Sequence, residues 1–188
     1  MVRQLGCPTF FFTLSAAETK WAELLGILKT LVEKKQLTEQ EIASLPDIPF
    51  LEKASLIRGD PITCARYFDH RFRAMFNTVF KAKEGPLGDI IDFFIRTEFQ
   101  HRGSPHIHGL LWVKNAPVYD SEKEESAKEV STFVDKYISC HVPPEGEPLH
   151  EEVKLQQHKH SHTCLKESGG KKVVDSTFPT FLCPKRWF

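Results

Sequence analysis

The stretch that decides the fold is residues 92–113, DFFIRTEFQHRGSPHIHGLLWV, in which two apolar runs alternate with polar residues. Alternation with a period of two is typical of β-strands. The residues between the runs include Gly103, which tolerates the positive φ of a tight turn. The stretch therefore predicts a β-hairpin with a first strand over 90–100, a loop over 101–105 and a second strand over 106–113.

The second strand of this hairpin begins with two histidines, His106 and His108, separated by Ile107. Side chains at positions i and i+2 of a strand share a face, so both imidazoles point the same way. A loop over 101–105 places Gln100 opposite His106 and Glu98 opposite His108. Two imidazoles with an amide or carboxylate oxygen suit Mg²⁺ or Mn²⁺ better than a closed structural zinc site. The alternative is a pair of exposed histidines without a ligand.

Composition excludes several classes of protein. The chain has 188 residues and a formal net charge of +0, which argues against a protein that binds nucleic acid through its overall charge. No apolar run reaches the roughly 18 residues that a membrane span needs. The five cysteines form an odd set without a disulfide pattern, which favours an intracellular, reducing compartment.

Upstream of the hairpin, residues 8–14 (PTFFFTL) are aromatic and predict a strand. Ser15 followed by Glu18 has the spacing of a capping box, which predicts that a helix starts there. The apolar residues expected to form the buried stripe of this helix are Trp21, Leu24, Leu25, Leu28, Leu31 and Val32.

Two further helix starts follow. Thr38, with Glu41 three residues later, predicts a short second helix. Asp60 followed by Pro61 predicts a longer helix over 61–83, because Asp caps a helix and proline suits its first position. The side chains expected to be buried on this longer helix are Cys64, Phe68, Phe72, Met75, Phe76 and Val79.

Basic residues on this longer helix admit two interpretations. Arg66, Arg71 and Arg73 form a solvated face, or they contact the phosphates of a nucleic acid together with Arg102 of the hairpin loop.

Downstream, the acidic residues 120–129 suit the start of another helix, whose apolar stripe includes Phe133, Val134 and Tyr137. The proline-rich residues 143–148 predict a boundary, with a core over 1–145 and a segment rich in His and Cys over 146–188. Crowded His and Cys ligands suggest zinc, and the alternative is a disordered His-rich tail. Residues 166–177, rich in Gly, Lys and Ser, are expected to be mobile. The order of elements predicts an α+β fold in which helices pack on an antiparallel sheet.

The residues 97–113, TEFQHRGSPHIHGLLWV, resemble the His-apolar-His (HUH) signature of the Helitron replication initiator, known as the Helitron helicase-like domain. Three other blocks resemble the same family in the same order: PTFFFTLSAAETKWAEL (8–24), GDPITCARYFDHRFRAMF (59–76) and HKHSHTCLK (158–166). Four ordered blocks make this resemblance far more specific than the two histidines alone.

The resemblance implies a rolling-circle transposition protein that acts on single-stranded DNA in the nucleus, with a helicase downstream of this chain. It implies a sheet with the histidine pair on a central strand, and a divalent metal on His106 and His108 with Gln100 or Glu98 as third ligand. It implies zinc on His158, His160 and Cys164, with Cys183 as a further ligand, although the sequence around Cys183 departs from the family pattern.

The nucleophile implied by the family is a tyrosine in a motif beyond the His/Cys segment, and this chain contains only Tyr67, Tyr119 and Tyr137. Tyr137 lies in an apolar stripe, so we interpret it as a core residue and expect no catalytic residue in this chain. The chain has no GxxxxGK[ST] motif and is not expected to hydrolyse ATP. We expect part of a longer nicking enzyme; the alternatives are a non-catalytic module that binds nucleic acid or zinc, and an inactive transposon remnant.

Overall fold

The computed structural model describes residues 2–83, 85–99, 103–139, 141–156, 165–168 and 171–174. Helices combine with an antiparallel sheet, so the predicted α+β class is confirmed. The chain divides into two compact units, Met1–Ile138 and Ser139–Phe188. The boundary predicted after residue 145 lies within the second of these units.

The sheet of the first unit has three strands: β1 (Phe10–Ser15), β2 (Ile90–Phe99) and β3 (Pro105–Val113). Their order is β1-β3-β2, and both pairings are antiparallel. β3 is therefore the central strand. Gly103, in the β2–β3 connection, has a φ of 79°, as the predicted turn requires.

The helices of the first unit lie before, between and after these strands in the chain. The short α1 precedes β1, four helices lie between β1 and β2, and one helix follows β3. Their bounds are α1 (Val2–Leu5), α2 (Ala22–Glu33), α3 (Glu39–Ser44), α4 (Phe50–Gly59), α5 (Pro61–Met75) and α6 (Glu124–Asp135). A π-helical turn over Phe76–Phe80 continues α5. Within the described ranges, no helix is both long and apolar enough to cross a membrane.

One side of the sheet packs on α5. Ile107 and Leu111 of β3 are almost completely buried, since alternate residues of a strand share a face. They form one hydrophobic cluster with Phe10 of β1 and with three phenylalanines of α5 and the π-helical turn, Phe68, Phe72 and Phe76. The other side of the sheet, which contains His106 and His108, is named the histidine face below.

Two predicted helix starts are confirmed. The Thr38 hydroxyl accepts a hydrogen bond from the Glu41 backbone N–H, and the Glu41 carboxylate accepts one from the Thr38 N–H. Asp60 Oδ1 accepts a hydrogen bond from the Thr63 backbone N–H at 2.9 Å, at the start of α5. The pKa of Glu41 is held below its ordinary value by its hydrogen bonds with Thr38, and that of Asp60 by hydrogen bonds from the Thr63 hydroxyl and then from the Thr63 N–H.

The predicted capping box at Ser15 and Glu18 is wrong. Ser15 is the last residue of β1, Glu18–Lys20 forms a 3₁₀ turn, and α2 begins only at Ala22. Three residues of the predicted apolar stripes are exposed instead, because the stripes continue beyond the packed parts of their helices: Leu31, Val32 and Val79.

Other elements were not predicted. α4 lacks a pronounced apolar stripe, and only its Lys53 is buried, with Nζ donating a hydrogen bond to the Pro46 carbonyl. In the second unit, α7 (Pro148–Gln156) lies at the start of the segment predicted to be rich in His and Cys, where no helix was predicted. The strands β4 (Leu165–Ser168) and β5 (Lys171–Val174) pair antiparallel and were not predicted, since the sequence indicated mobile chain over 166–177.

The two cysteines whose side chains are described differ in reactivity. Cys64 is buried on α5, and burial raises the pKa of its thiol to about 11, whereas Cys7 is exposed. Because only the thiolate reacts, we expect iodoacetamide at pH 8 to alkylate Cys64 at least about a hundredfold more slowly than a thiol of ordinary pKa. Peptide mapping by mass spectrometry should show Cys7 labelled first, and Cys64 labelled only after denaturant is added. Rapid native labelling of Cys64 would contradict its buried position.

Candidate functional site

The histidine face contains three rows of side chains that cross the sheet. Each row takes one residue from β1, one from β3 and one from β2, as the register of the strands determines. Successive rows lie two residues apart along each strand, or roughly 7 Å. In order along the sheet, these rows are Phe11–Leu110–Phe94, Thr13–His108–Arg96 and Ser15–His106–Glu98, and Asp92 of β2 and Trp112 of β3 continue the face beyond the first of them.

His106 and His108 lie side by side on the central strand, with ring centroids 4.6 Å apart. Both side chains are half-buried. Partial burial, assisted by the nearby His108, holds the pKa of His106 below its ordinary value, against the opposing effect of Glu98. At neutral pH the imidazole of His106 is therefore uncharged and retains a nitrogen lone pair.

Glu98 is the carboxylate of this site. Its Oε2 lies 3.2 Å from His108 Nε2, although Glu98 pairs across the strands with His106. The predicted loop over 101–105 is therefore misplaced, because Pro105 already belongs to β3 and pairs with Phe99. Glu98 occupies the place opposite His106 that was predicted for Gln100, which is a register shift of two residues. An even shift keeps each side chain on its predicted face, so Glu98 still lies beside the histidines. Gln100 lies outside the described residues.

Ser15 is a residue of this site that sequence reasoning missed. Its Oγ is hydrogen-bonded to His106 Nδ1 at 2.8 Å, across 91 residues of sequence. This contact occupies Nδ1 and leaves Nε2 as the nitrogen with which His106 can bind a ligand. Ser15 was noticed in the sequence, but its spacing to Glu18 was interpreted as a helix cap.

Glu18, the other residue of the predicted capping box, also contacts the hairpin. It is largely buried and accepts a hydrogen bond from the Ser104 hydroxyl at 2.6 Å. Ser104 immediately precedes β3, so this contact anchors the hairpin connection close to His106. The last residue of β1 therefore contacts His106, and the 3₁₀ turn that follows contacts the chain that leads to it.

Arg96 is a second residue that sequence reasoning missed. It pairs with His108 across the strands, and its side chain is largely exposed. Its Nε lies 3.5 Å from Glu98 Oε1. The alternation of Arg96 and Glu98 along β2 is the signal that could have identified it. The histidine face thus combines two imidazoles, a carboxylate and a guanidinium.

The arginines predicted to contact DNA lie on another element, although Arg71 lines one cavity with Ser15. Arg66, Arg71 and Arg73 lie on α5, which packs against the opposite side of the sheet. Arg73 Nε binds Asp69 Oδ2 at 2.7 Å. Arg71 lies over the Trp21 ring, 5.2 Å from its centroid, and 3.7 Å from Glu23. Arg66 is exposed, and Arg102 lies outside the described residues.

The three tyrosines have surroundings of their own in the first unit. Tyr137 follows α6 and packs against Phe10 and Phe133, on the side of the sheet that holds the core. Tyr67 lies on α5, and its hydroxyl donates a hydrogen bond to Glu23. Tyr119 is exposed in the connection between β3 and α6.

Over the part of the chain that the structure describes, no three His, Cys, Asp or Glu side chains converge into a group that could hold a metal ion. At the histidine face, Glu98 contacts His108, while His106 is engaged with Ser15. The residues predicted to bind zinc all lie outside the described residues: His158, His160, Cys164 and Cys183.

Comparison with protein families identifies the class. The family model of the Helitron helicase-like domain at the N-terminus matches residues 1–111, and the chain belongs to that family of Helitron transposon proteins. The matched segment extends from α1 into β3 and contains Ser15, Glu98 and both histidines. Comparisons with curated proteins and with solved structures give no match.

Proposed function

We propose that the histidine face binds a divalent metal ion and, through it, a phosphate of single-stranded DNA, as the nicking domain of a Helitron protein does. The observation that supports this most is the cluster of His106, His108 and Glu98 on one face of a rigid sheet. The family gives the substrate class, since a Helitron protein acts on DNA. The chain then supplies the metal-binding and DNA-binding part of a strand-nicking enzyme.

Two of the donors have the spacing of neighbouring ligands on a Mg²⁺ or Mn²⁺ ion. Two ligands about 2.1 Å from an octahedral ion and adjacent in its coordination shell are about 3 Å apart. The distance of 3.2 Å between Glu98 Oε2 and His108 Nε2 is close to that value. Nε2 of His106, the ring nitrogen that the Ser15 hydroxyl leaves free, would be the third donor.

A bound ion at this site supplies positive charge that polarises a phosphate oxygen. The residues of the chain provide the geometry. β3 keeps the two imidazoles on one face, and Ser15 holds the ring of His106. Arg96, which lies opposite His108 on the neighbouring strand, supplies a guanidinium that can bind a phosphate oxygen. Together they hold one phosphodiester against the sheet.

Binding of DNA in the presence and absence of metal tests this proposal. We expect fluorescence polarisation with a labelled thymidine 12-mer to show tighter binding in Mn²⁺ than in EDTA. Arg96→Ala should weaken binding in both conditions, because it removes a charge that contacts phosphate directly. Affinity that is unchanged by Mn²⁺, in a protein that binds the ion, would contradict the proposed role of the metal.

Cleavage by this chain alone is not expected. Tyr137 packs beside the core and Tyr67 contacts Glu23, so neither is placed to attack a phosphate on the histidine face. Incubation with single-stranded DNA and Mn²⁺ should yield neither a nicked product nor a covalent protein–DNA adduct on a denaturing gel. An adduct mapped by mass spectrometry to Tyr137 would overturn this interpretation.

The contact between Ser15 and His106 predicts a graded effect. Partners that orient a metal-binding histidine typically change metal affinity by 10–100-fold. We expect Ser15→Ala to weaken Mn²⁺ binding about tenfold, while Ser15→Thr, which keeps a hydroxyl, retains most of the affinity. Isothermal titration calorimetry measures both. Equal weakening in the two variants would show that the hydroxyl is not responsible.

A further inference from the structure

Beside the row of Thr13, His108 and Arg96, the histidine face has a row with two phenylalanines. Phe11 of β1 and Phe94 of β2 flank Leu110 of β3 in register. Phe11 is 63% exposed and Phe94 is 46% exposed. Neighbouring exposed rings of this size favour contact with a ligand or a partner over contact with water. This row is named the aromatic row.

The aromatic row is continuous with the proposed metal site. The ring of Phe11 is stacked on that of His108, with centroids 5.9 Å apart and planes inclined by only 18°. His108 in turn lies beside His106. Aromatic contact therefore leads from the exposed Phe11 through His108 to His106, whose ring meets that of His108 edge-on at 69°.

We propose that the aromatic row stacks against a base of single-stranded DNA, next to the nucleotide whose phosphate lies at the histidines. This inference rests on the proposed function and specifies how the same face recognises its substrate. Open sheets with exposed aromatic side chains bind single strands in this way, because unpaired bases can lie flat on the rings. Bases within a duplex are stacked on one another and cannot reach the row.

The chemistry around the aromatic row favours a nucleic acid over an apolar polypeptide. Arg96 and the two histidines, which can donate hydrogen bonds to phosphate, begin in the next row. The acidic groups of this face have partners within the protein. Glu98 contacts Arg96 and His108, and Asp92 Oδ1 accepts a hydrogen bond from the Phe93 N–H at 2.7 Å. An apolar helix would offer no acceptor to the largely exposed guanidinium of Arg96, whereas a phosphate would.

Base stacking predicts that the effect of each phenylalanine depends on the bases. In Mn²⁺, Phe11→Ala and Phe94→Ala should each weaken binding of a labelled thymidine 12-mer roughly tenfold. The matched control is Phe50→Ala on α4, which removes a ring of nearly equal exposure, 62%, away from this face. It should leave the affinity unchanged.

A 12-mer of the same length without bases separates stacking from backbone contacts. The wild type should bind this abasic strand more weakly than the thymidine strand, and Phe11→Ala should bind it as well as the wild type does. Absence of binding of either strand by the wild type would overturn the proposed function and this inference together. Normal binding with unchanged affinity in both phenylalanine variants would overturn the aromatic row alone.

A Phe11→Trp variant extends the test without removing the ring. Its extra emission should be that of a solvent-exposed indole, and the thymidine strand should quench it while the abasic strand does not. Blue-shifted emission that iodide cannot quench in the DNA-free protein would show that polypeptide covers the row, and would overturn the proposal. Circular dichroism of each variant verifies that the fold is retained.

Discussion

Replacement of His106 and His108 together with alanine should lower the affinity for Mn²⁺ more than about a hundredfold. The loss follows from the geometry, because the variant removes both nitrogen donors. Among the described residues of the three rows of the histidine face, Glu98 is then the one remaining acidic ligand candidate. Removal of a residue that only orients a metal ligand typically lowers the metal affinity 10–100-fold. Removal of two ligands should therefore lower it further. The electron paramagnetic resonance signal of free Mn²⁺ measures the affinity.

The matched control for this prediction replaces two other histidines. His70 on α5 and His141 in the second unit are both exposed, and neither belongs to a strand of the three-stranded sheet. Their double alanine variant should bind Mn²⁺ as the wild type does. Equal affinity in the wild type and the His106/His108 variant would show that the ion, if it binds, binds elsewhere.

The second large effect concerns the fold beneath the site. Gly109→Ala should destabilise the protein by about 1–3 kcal/mol, the usual range for an overpacked core. The ring of Phe12 lies directly over Gly109 on the side of the sheet away from the histidines, and a Cβ atom there would clash with it. The ring would have to move away from Phe80, against which it packs edge-on at 5.7 Å.

Urea denaturation followed by circular dichroism measures this effect. Gly59→Ala is the matched control, because a Cβ atom at the end of α4 meets no atom within 4 Å. Alanine favours helix over glycine, so the control should be neutral or slightly stabilised. Equal midpoints for Gly109→Ala and the wild type would mean that the Phe12 ring can move at no cost.

Helix starts show how far local patterns predict this fold. Thr38 and Asp60 were recognised because each side chain binds a backbone N–H three residues later, and those donors have few other partners. Ser15 and Glu18 have the same spacing, but both side chains have partners in the hairpin instead. A capping pattern predicts a helix only when no tertiary partner competes for the same side chains.

The hairpin illustrates a second limit. The alternating pattern determined which side chains share a face, and that assignment survived the shift of two residues in register. The alternation does not determine the register itself, because any even shift gives the same faces. The loop length and the packing of Ile107 and Leu111 select one register among them.

The sequence by itself determined the family, the hairpin and the placement of both histidines with Glu98 on one face, since these follow from residue order and strand periodicity. Tertiary structure alone decided that Ser15 holds His106 and that Glu18 holds Ser104, across 91 and 86 residues respectively. It also placed the arginines of α5 on the opposite side of the sheet. The physical reason is that contacts between distant residues depend on how the strands are ordered and packed, and no local pattern of residues encodes that order.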